Sequence, residues 1–434
     1  MSVQTRFETE AATIDWGLLA IIVTLLVFGV VMVFSASFAQ GIYGYGNPYR
    51  FIINQLLALA VGLGAMVFTA RLPYTFWQRW SVPMMALTLA LLIAVVAVGS
   101  ETFGATRTFL NGRLQPSEPA KIAIVIYIST WLASKGSSIQ DVKVGLAPFA
   151  VLLGIITLLL ALQPDISTAI LIVATAFIMF FIAGAKLRQL VIIAVLGTIT
   201  FWVTIQYSPY AGRRIDAFLD SFNNPLQSEE WQVGQAAKAL FDGGIFGVGL
   251  GNGMAKLPGH LPVSWSDNIF AVIGEELGLI GTLTVIVLFA LFAYRGLRTA
   301  LRAPDSFGML LATGITALFI LQALLNIAVA VVLSPPTGVT LPFISYGGSS
   351  LVSVLGGAGI LLSISRARAP AVSDKPKRGG PANARFDFGW RDRGARVSGA
   401  GSGGSAKPEL STEERIGRTT KRADSAGHQP QPSV

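Results

Sequence analysis

The stretch WGLLAIIVTLLVFGVVMVFSASF, residues 16–38, runs 23 positions without one charged side chain. Its apolar residues fall on every face of a helix instead of one stripe, the pattern of a helix with no side turned to water. About 20 such residues suffice to cross the hydrocarbon of a bilayer. A signal peptide ending near Ser35-Ala36-Ser37 is the competing reading, but the apolar run exceeds a usual h-region, so an uncleaved first helix is expected.

Comparable runs follow near 51–70, 81–98, 119–134, 146–162, 166–185, 189–207, 269–294, 308–333 and 348–365. The sequence therefore predicts an all-α polytopic membrane protein with about ten transmembrane helices. Composition agrees: of 434 residues, 53% are hydrophobic and 13% charged, against about a quarter charged in soluble domains.

The connecting loops alternate in cation content. Arg71 and Arg79, Lys135 and Lys143, Lys186 and Arg188, and Arg295, Arg298 and Arg302 mark one side, whereas residues 335–347 hold no cation. The positive-inside rule then puts both termini in the cytoplasm and leaves one long extracytoplasmic loop, residues 208–267, before helix 8. Three regions are expected: a cytoplasmic segment 1–15, a ten-helix membrane domain 16–366, and a basic tail 367–434. The tail is rich in Gly and Ser and poor in apolar residues, a composition expected to stay disordered, with Phe386, Phe388 and Trp390 as a candidate docking segment.

Composition also excludes chemistry. With no cysteine there is no disulfide, thiolate nucleophile or Cys zinc site, and His260 and His428 alone leave little room for His-rich metal centres or Ser-His-Asp triads. Residues 366–434 carry +7 of the net +9. The basic excess thus lies in the tail and not in a folded groove, so nucleic acid is not an expected partner.

Ionisable groups in or beside apolar helices cost roughly 2.5–3.5 kcal/mol at a helix centre, so each asks for a reason. Glu118 and Lys121, in QPSEPAK (115–121), are three apart on one helix face and read as a local ion pair or a functional pair. Asp165 in QPDIST (163–168) reads first as a turn or N-cap residue. Asp267 in SWSDNIF (264–270) sits where the long loop meets an apolar helix. It is either a cap or a carboxylate that accepts a proton from an incoming hydroxyl, or holds a divalent cation. Glu275 and Glu276 lie two turns further into that helix, where neither cap nor surface accounts for them. Arg213, Arg214, Lys238 and Lys256 share the outer side with Asp267, joined by Arg107 and Arg113, and would suit phosphate or pyrophosphate. The glycine run GGIFGVGLGNG (243–253) has neither dinucleotide nor Walker spacing and reads as a flexible re-entrant or amphipathic loop. TGVTLPFISYGGSS (337–350), which contains Ser345, is irregular and uncharged and is expected to line a cavity.

QPSEPAK, QPDIST, RRIDAFLD (213–220), WQVGQ (231–235), DNIFAVIGEELGLIG (267–281) and LPFISYGGSS (341–350) occur in this order, and together they resemble the SEDS family of cell-wall proteins over roughly residues 14–366. The resemblance implies a peptidoglycan glycosyltransferase that polymerises lipid II outside the cytoplasmic membrane. It matches Asp267 to the essential aspartate, and Arg107, Glu118, Lys121 and Asp165 to further family positions. Asp267 would deprotonate the acceptor hydroxyl, while Arg107, Lys121, Arg213 and a bound Mg²⁺ or Mn²⁺ would stabilise the leaving pyrophosphate; Lys256, Glu275 and Ser345 complete the expected substrate site. A class B penicillin-binding protein and other divisome proteins are the implied partners. The long basic tail resembles the division members of the family more than the elongation members, which implies the septum as location.

The stretch PVSWSDNIF (262–270) departs from the family pattern P-E-x-H-T-D-F-I-F, with Val263 and Trp265 in place of the acid and histidine. Two other readings compete with the enzyme. A lipid flippase or transporter would use Glu275 and a broken helix near Asp165, and a division scaffold would need no chemistry at Asp267.

Overall fold

In a computed structural model, residues 14–98, 100–102, 105–108, 115–207, 212, 218–219 and 231–367 are described. Residues 1–13 of the expected segment 1–15, most of 208–230 in the expected loop 208–267, and the expected tail from 368 onward lie outside the described residues.

The apolar runs are helices: α1 (Trp16–Tyr45), α2 (Arg50–Arg71), α3 (Thr75–Val98), α4 (Ser117–Lys135), α5 (Ala147–Leu162), α6 (Ile166–Ile182), α7 (Leu187–Tyr207), then α8 (Trp231–Gly243), α9 (Ile269–Arg302), α10 (Ser306–Ala330) and α11 (Gly348–Arg366). Eight of these are long and apolar enough to cross a membrane, and Ile166–Ile182 and Leu187–Thr200 are shorter apolar helices. A short antiparallel hairpin, β1 (Ser100–Thr102) and β2 (Ala105–Thr108), follows α3.

The helices are apolar on both faces. On α1, Leu18, Ile22, Leu25 and Met32 are buried against the bundle while Val23, Val27, Val31, Phe34 and Phe38 point outward. A row of exposed Val and Phe would be a liability in water and is what a lipid-facing surface requires. The centre of the bundle is α10, which packs against α9, α4, α6 and α11. Small residues permit close approach: a side chain at Gly29 would meet the backbone of Phe343 and Ile344, and one at Gly314 would meet Val125 and Met179.

One end of the bundle gathers the cations. Arg295 pairs with Asp15 (3.3 Å), Arg366 donates to the Arg71 carbonyl, Ser363 donates to the Leu72 carbonyl, and the Tyr74 hydroxyl donates to Asp305 (2.7 Å). Burial, and then the Asp305 carboxylate, raise the Tyr74 phenol above its ordinary range, so it remains a donor at physiological pH. Asp267 precedes the opposite end of α9.

In the described part of the segment expected to be a long loop, residues 231–267, the chain opens with α8. α8 and the glycine run that follows it pack against α9, and the glycine run is not the flexible loop its composition suggests. Helix α9 is broken at Gly278, whose φ of 66° and ψ of −161° interrupt the ladder. A regular helix would bond Leu279 N–H to Glu275 C=O and Ile280 N–H to Glu276 C=O. Here Leu279 and Ile280 N–H donate to the Gly244 and Ile245 carbonyls (2.9 and 3.3 Å), and Val248 and Gly249 N–H donate to the Glu275 and Glu276 carbonyls (both 3.0 Å). These four backbone groups at the break are thus taken by the glycine run, as a low-dielectric setting demands. Approach this close excludes side chains: one at Gly278 would meet Gly247 and Ile245, and one at Gly247 would meet Glu276 and Gly278.

Gly278→Ala therefore places a Cβ into backbone at a positive φ and is expected to destabilise the protein by at least about 2 kcal/mol. Thermal unfolding in detergent checks this: a melting temperature several degrees below wild type is expected, and an unchanged one would show the break to be tolerant.

Candidate functional site

Asp267 is half-buried in a turn immediately before α9, whose first two turns, Ile269 to Glu276, are buried on all sides. The Ser266 hydroxyl lies 3.1 Å from Asp267 Oδ1 and 2.9 Å from the Tyr346 carbonyl. Both can be acceptors, and a hydroxyl has one proton to give. Ser266 therefore gives its proton to one of these two acceptors at a time.

The loop between α10 and α11 supplies the other wall. Ser345 Oγ donates to the Ser266 carbonyl and accepts from Leu341 N–H, both at 2.7 Å. Tyr346 N–H donates to the Trp265 carbonyl (3.0 Å), while Gln55 on α2 donates to the Ser345 carbonyl (3.3 Å) and accepts from Gly347 N–H (3.4 Å). Asn326 on α10 spends both amide protons here, one on the Asp267 carbonyl and one on the Val339 carbonyl, each at 2.8 Å.

One turn earlier on α10, Gln322 donates to Thr340 through its amide and accepts from Lys121 Nζ (3.2 Å), which also pairs with Glu118 (3.0 Å). Glu118, Lys121 and Gln322 are all buried. Glu118 Oε2 and the Ser117 hydroxyl are buried without a hydrogen-bond partner. The sequence pair Glu118 and Lys121 is thus an ion pair, linked through Gln322 and Thr340 to the loop that holds Ser345. Its open acceptor valence leaves room for a further group.

A second buried centre lies behind α9. Lys256 Nζ pairs with Glu276 (2.6 Å) and donates to Ser35 on α1 (3.3 Å), and Ser35 itself donates to Glu276. Glu275 accepts from Met254 N–H (2.7 Å) and Ala255 N–H (3.0 Å). The two acids unexplained by cap or surface therefore bind residues 254–256, just past the glycine run, and Lys256 pairs with Glu276. Asp165 caps α6 through Thr168 N–H (3.4 Å), with Oδ2 buried and unpartnered, and shares no hydrogen bond with the Glu118–Lys121 pair. Arg107 falls on β2, its side chain outside the described residues, as is Arg213. Among the described residues no three Asp, Glu or His side chains gather to hold a metal ion. Gln55, Gln322 and Asn326 were not picked out from the sequence; Gln322 and Asn326, amides four apart in an apolar helix, were the available signal.

Fold and site define a polytopic helical membrane protein that holds a carboxylate at one end of the bundle over buried ion pairs. The profile of the cell cycle protein family of FtsW, RodA and SpoVE matches residues 16–369, and the chain belongs to that family. It is 39% identical to the probable peptidoglycan glycosyltransferase FtsW of Trichlorobacter lovleyi, over 83% of this chain and 95% of that one. Identity to the stage V sporulation protein E of Bacillus subtilis is 36%, over 82% and 98%. Among solved structures, the crystal structure of the rod shape determining protein RodA of Thermus thermophilus matches with a TM-score of 0.62 at 26% identity, covering 83% of this chain and 99% of that one. A chain from a structure described as the structural coordination of polymerization and crosslinking by a peptidoglycan synthase complex matches with a TM-score of 0.67 at 28% identity, covering 82% and 98%.

Removing one member of the Lys256–Glu276 pair leaves a buried charge alone, a loss of about 3–5 kcal/mol. Lys256→Met and Glu276→Gln should each lower the melting temperature, and the double substitution should recover part of the loss. Additive losses would mean the two side chains do not act as a pair.

Proposed function

We infer that this chain is a peptidoglycan glycosyltransferase of the FtsW kind, polymerising lipid II on the outer face of the cytoplasmic membrane during septal wall synthesis. The names of its relatives support the activity. The cation-rich end of the bundle supports an orientation with both termini in the cytoplasm and Asp267 outside.

The observation that carries the reading is the Ser266–Asp267 turn, a half-buried carboxylate hydrogen-bonded by Ser266 at the end of the bundle opposite the cations. Asp267 accepts the proton of the acceptor sugar's hydroxyl as that oxygen bonds to the donor's anomeric carbon. The bond from that carbon to the pyrophosphate oxygen breaks with inversion, and the lipid pyrophosphate leaves with the electron pair. Arg107 and Arg213, with Lys121 held in place by Glu118 and Gln322, orient and neutralise the phosphates. Mg²⁺ or Mn²⁺ would be held by Asp267 and the substrate's own phosphate oxygens, as hard cations bound through one carboxylate commonly are, and would supply Lewis-acid stabilisation of the leaving group. The partner on this reading is a class B penicillin-binding protein that crosslinks the strands, with other divisome proteins around it.

Asp267→Asn keeps the side chain's shape and removes the base. With labelled lipid II, Mn²⁺ and the partner transpeptidase, glycan polymer should fall by about 100-fold or more with the melting temperature near that of wild type. Polymerisation close to wild type would move the base elsewhere, and lipid movement without polymer would favour the transporter reading.

A further inference from the structure

The mechanism leaves unused the side chain two residues before Asp267. Trp265 is half-buried, and its ring lies 5.0 Å from that of Phe51 at 49°. Phe51 is itself buried and meets Tyr346 edge-on at 5.3 Å and Tyr45 at 5.7 Å. The Arg50 guanidinium sits 4.1 Å over the Tyr45 ring at the rim. The Trp265 carbonyl accepts from Tyr346 N–H, and the next residue is fixed by Tyr346 and Ser345. The bonds that hold the Asp267 turn therefore hold the Trp265 backbone as well.

We propose that Trp265, backed by Phe51, is a stacking platform for a pyranose ring of the saccharide that reacts at Asp267. The proposal rests on the glycosyl-transfer reading. A pyranose presents a face of C–H groups carrying partial positive charge, complementary to the negative face of an indole, while its hydroxyls project from the edge toward polar partners. Aromatic walls with a few placed polar groups are the usual make-up of a small-molecule site, and here the polar groups are Ser266, Asp267 and Tyr346. A plain interfacial anchor is the competing role for an aromatic at this end of the bundle. Tyr43 and Tyr49 are more than half exposed and suit that role, whereas Trp265 is half-buried and tied to the Asp267 turn.

The test uses the full chain in nanodiscs with its transpeptidase partner, comparing wild type with Trp265→Phe, Trp265→Ala and Asp267→Asn. Trp265→Ala should raise KM for lipid II about tenfold, equivalent to ~1.4 kcal/mol, with kcat within about twofold of wild type, and Trp265→Phe should lie between the two. Lipid II should shift tryptophan emission in wild type and Asp267→Asn but not in Trp265→Phe, and undecaprenyl pyrophosphate, which lacks the sugars, should not shift it in any of them. Equal KM and equal emission shifts in wild type and Trp265→Phe, or a shift with undecaprenyl pyrophosphate alone, would overturn the platform while leaving glycosyl transfer standing. A Trp265-dependent shift in a protein that makes no polymer would uphold the platform and remove glycosyl transfer. If Trp265→Ala does not fold, Trp265→Phe carries both readouts.

Discussion

The break in α9 at Gly278 is the constraint from which the outer half of the bundle is built. A helix interrupted inside an apolar setting exposes backbone groups that water cannot reach, and each left unpaired is costly. Four hydrogen bonds with residues 244–249 take up the Glu275 and Glu276 carbonyls and the Leu279 and Ile280 amides in exchange for helical partners. That exchange requires backbone contact, and backbone contact requires Gly247 and Gly278 to have no side chain. Glu275 and Glu276 extend the same joint through their side chains, one to the Met254 and Ala255 amides and one to Lys256 and Ser35. The first two turns of α9 are thereby held on the side away from Asp267.

Asp267 sits between this joint and a second one, the α10–α11 loop, which Gln55, Gln322, Asn326 and Ser345 hold by side-chain to backbone bonds. On the proposed reading a catalytic carboxylate needs a backbone whose position is fixed, and amides from two helices and a hydroxyl from the loop hold the backbone around Asp267. The Lys121–Glu118 pair reaches the same loop through Gln322 and Thr340. A phosphate drawn to Lys121 and a hydroxyl presented to Asp267 would thus be aligned by one framework, which is how a binding group and a reacting group can be kept in register.

Much of this was legible before the structure. The ten apolar runs match ten helices within a few residues at most boundaries, because an uncharged run of bilayer length has few other ways to satisfy its backbone. The acids stood out because a charge amid apolar residues is costly, and Glu118 with Lys121 had the spacing of a pair. What those acids bind was not legible: nothing at Glu275 or Glu276 points to Lys256 some 20 residues upstream or to Ser35 on the first helix. The glycine run was read as flexible because glycine permits both disorder and close approach, and only the partner backbone decides between them. The amides at 55, 322 and 326 were passed over because they are uncharged, although in an apolar helix an amide also needs a partner.

Backbone hydrogen exchange of the protein in lipid nanodiscs, read at Val248, Gly249, Leu279 and Ile280, tests most directly whether the joint at Gly278 is a fixed support for Asp267. The account predicts that all four amides exchange as slowly as those in the core of α10, and that they become fast together when Gly278 is substituted. Rapid exchange at these four positions in the unaltered protein, with α10 protected, would contradict it.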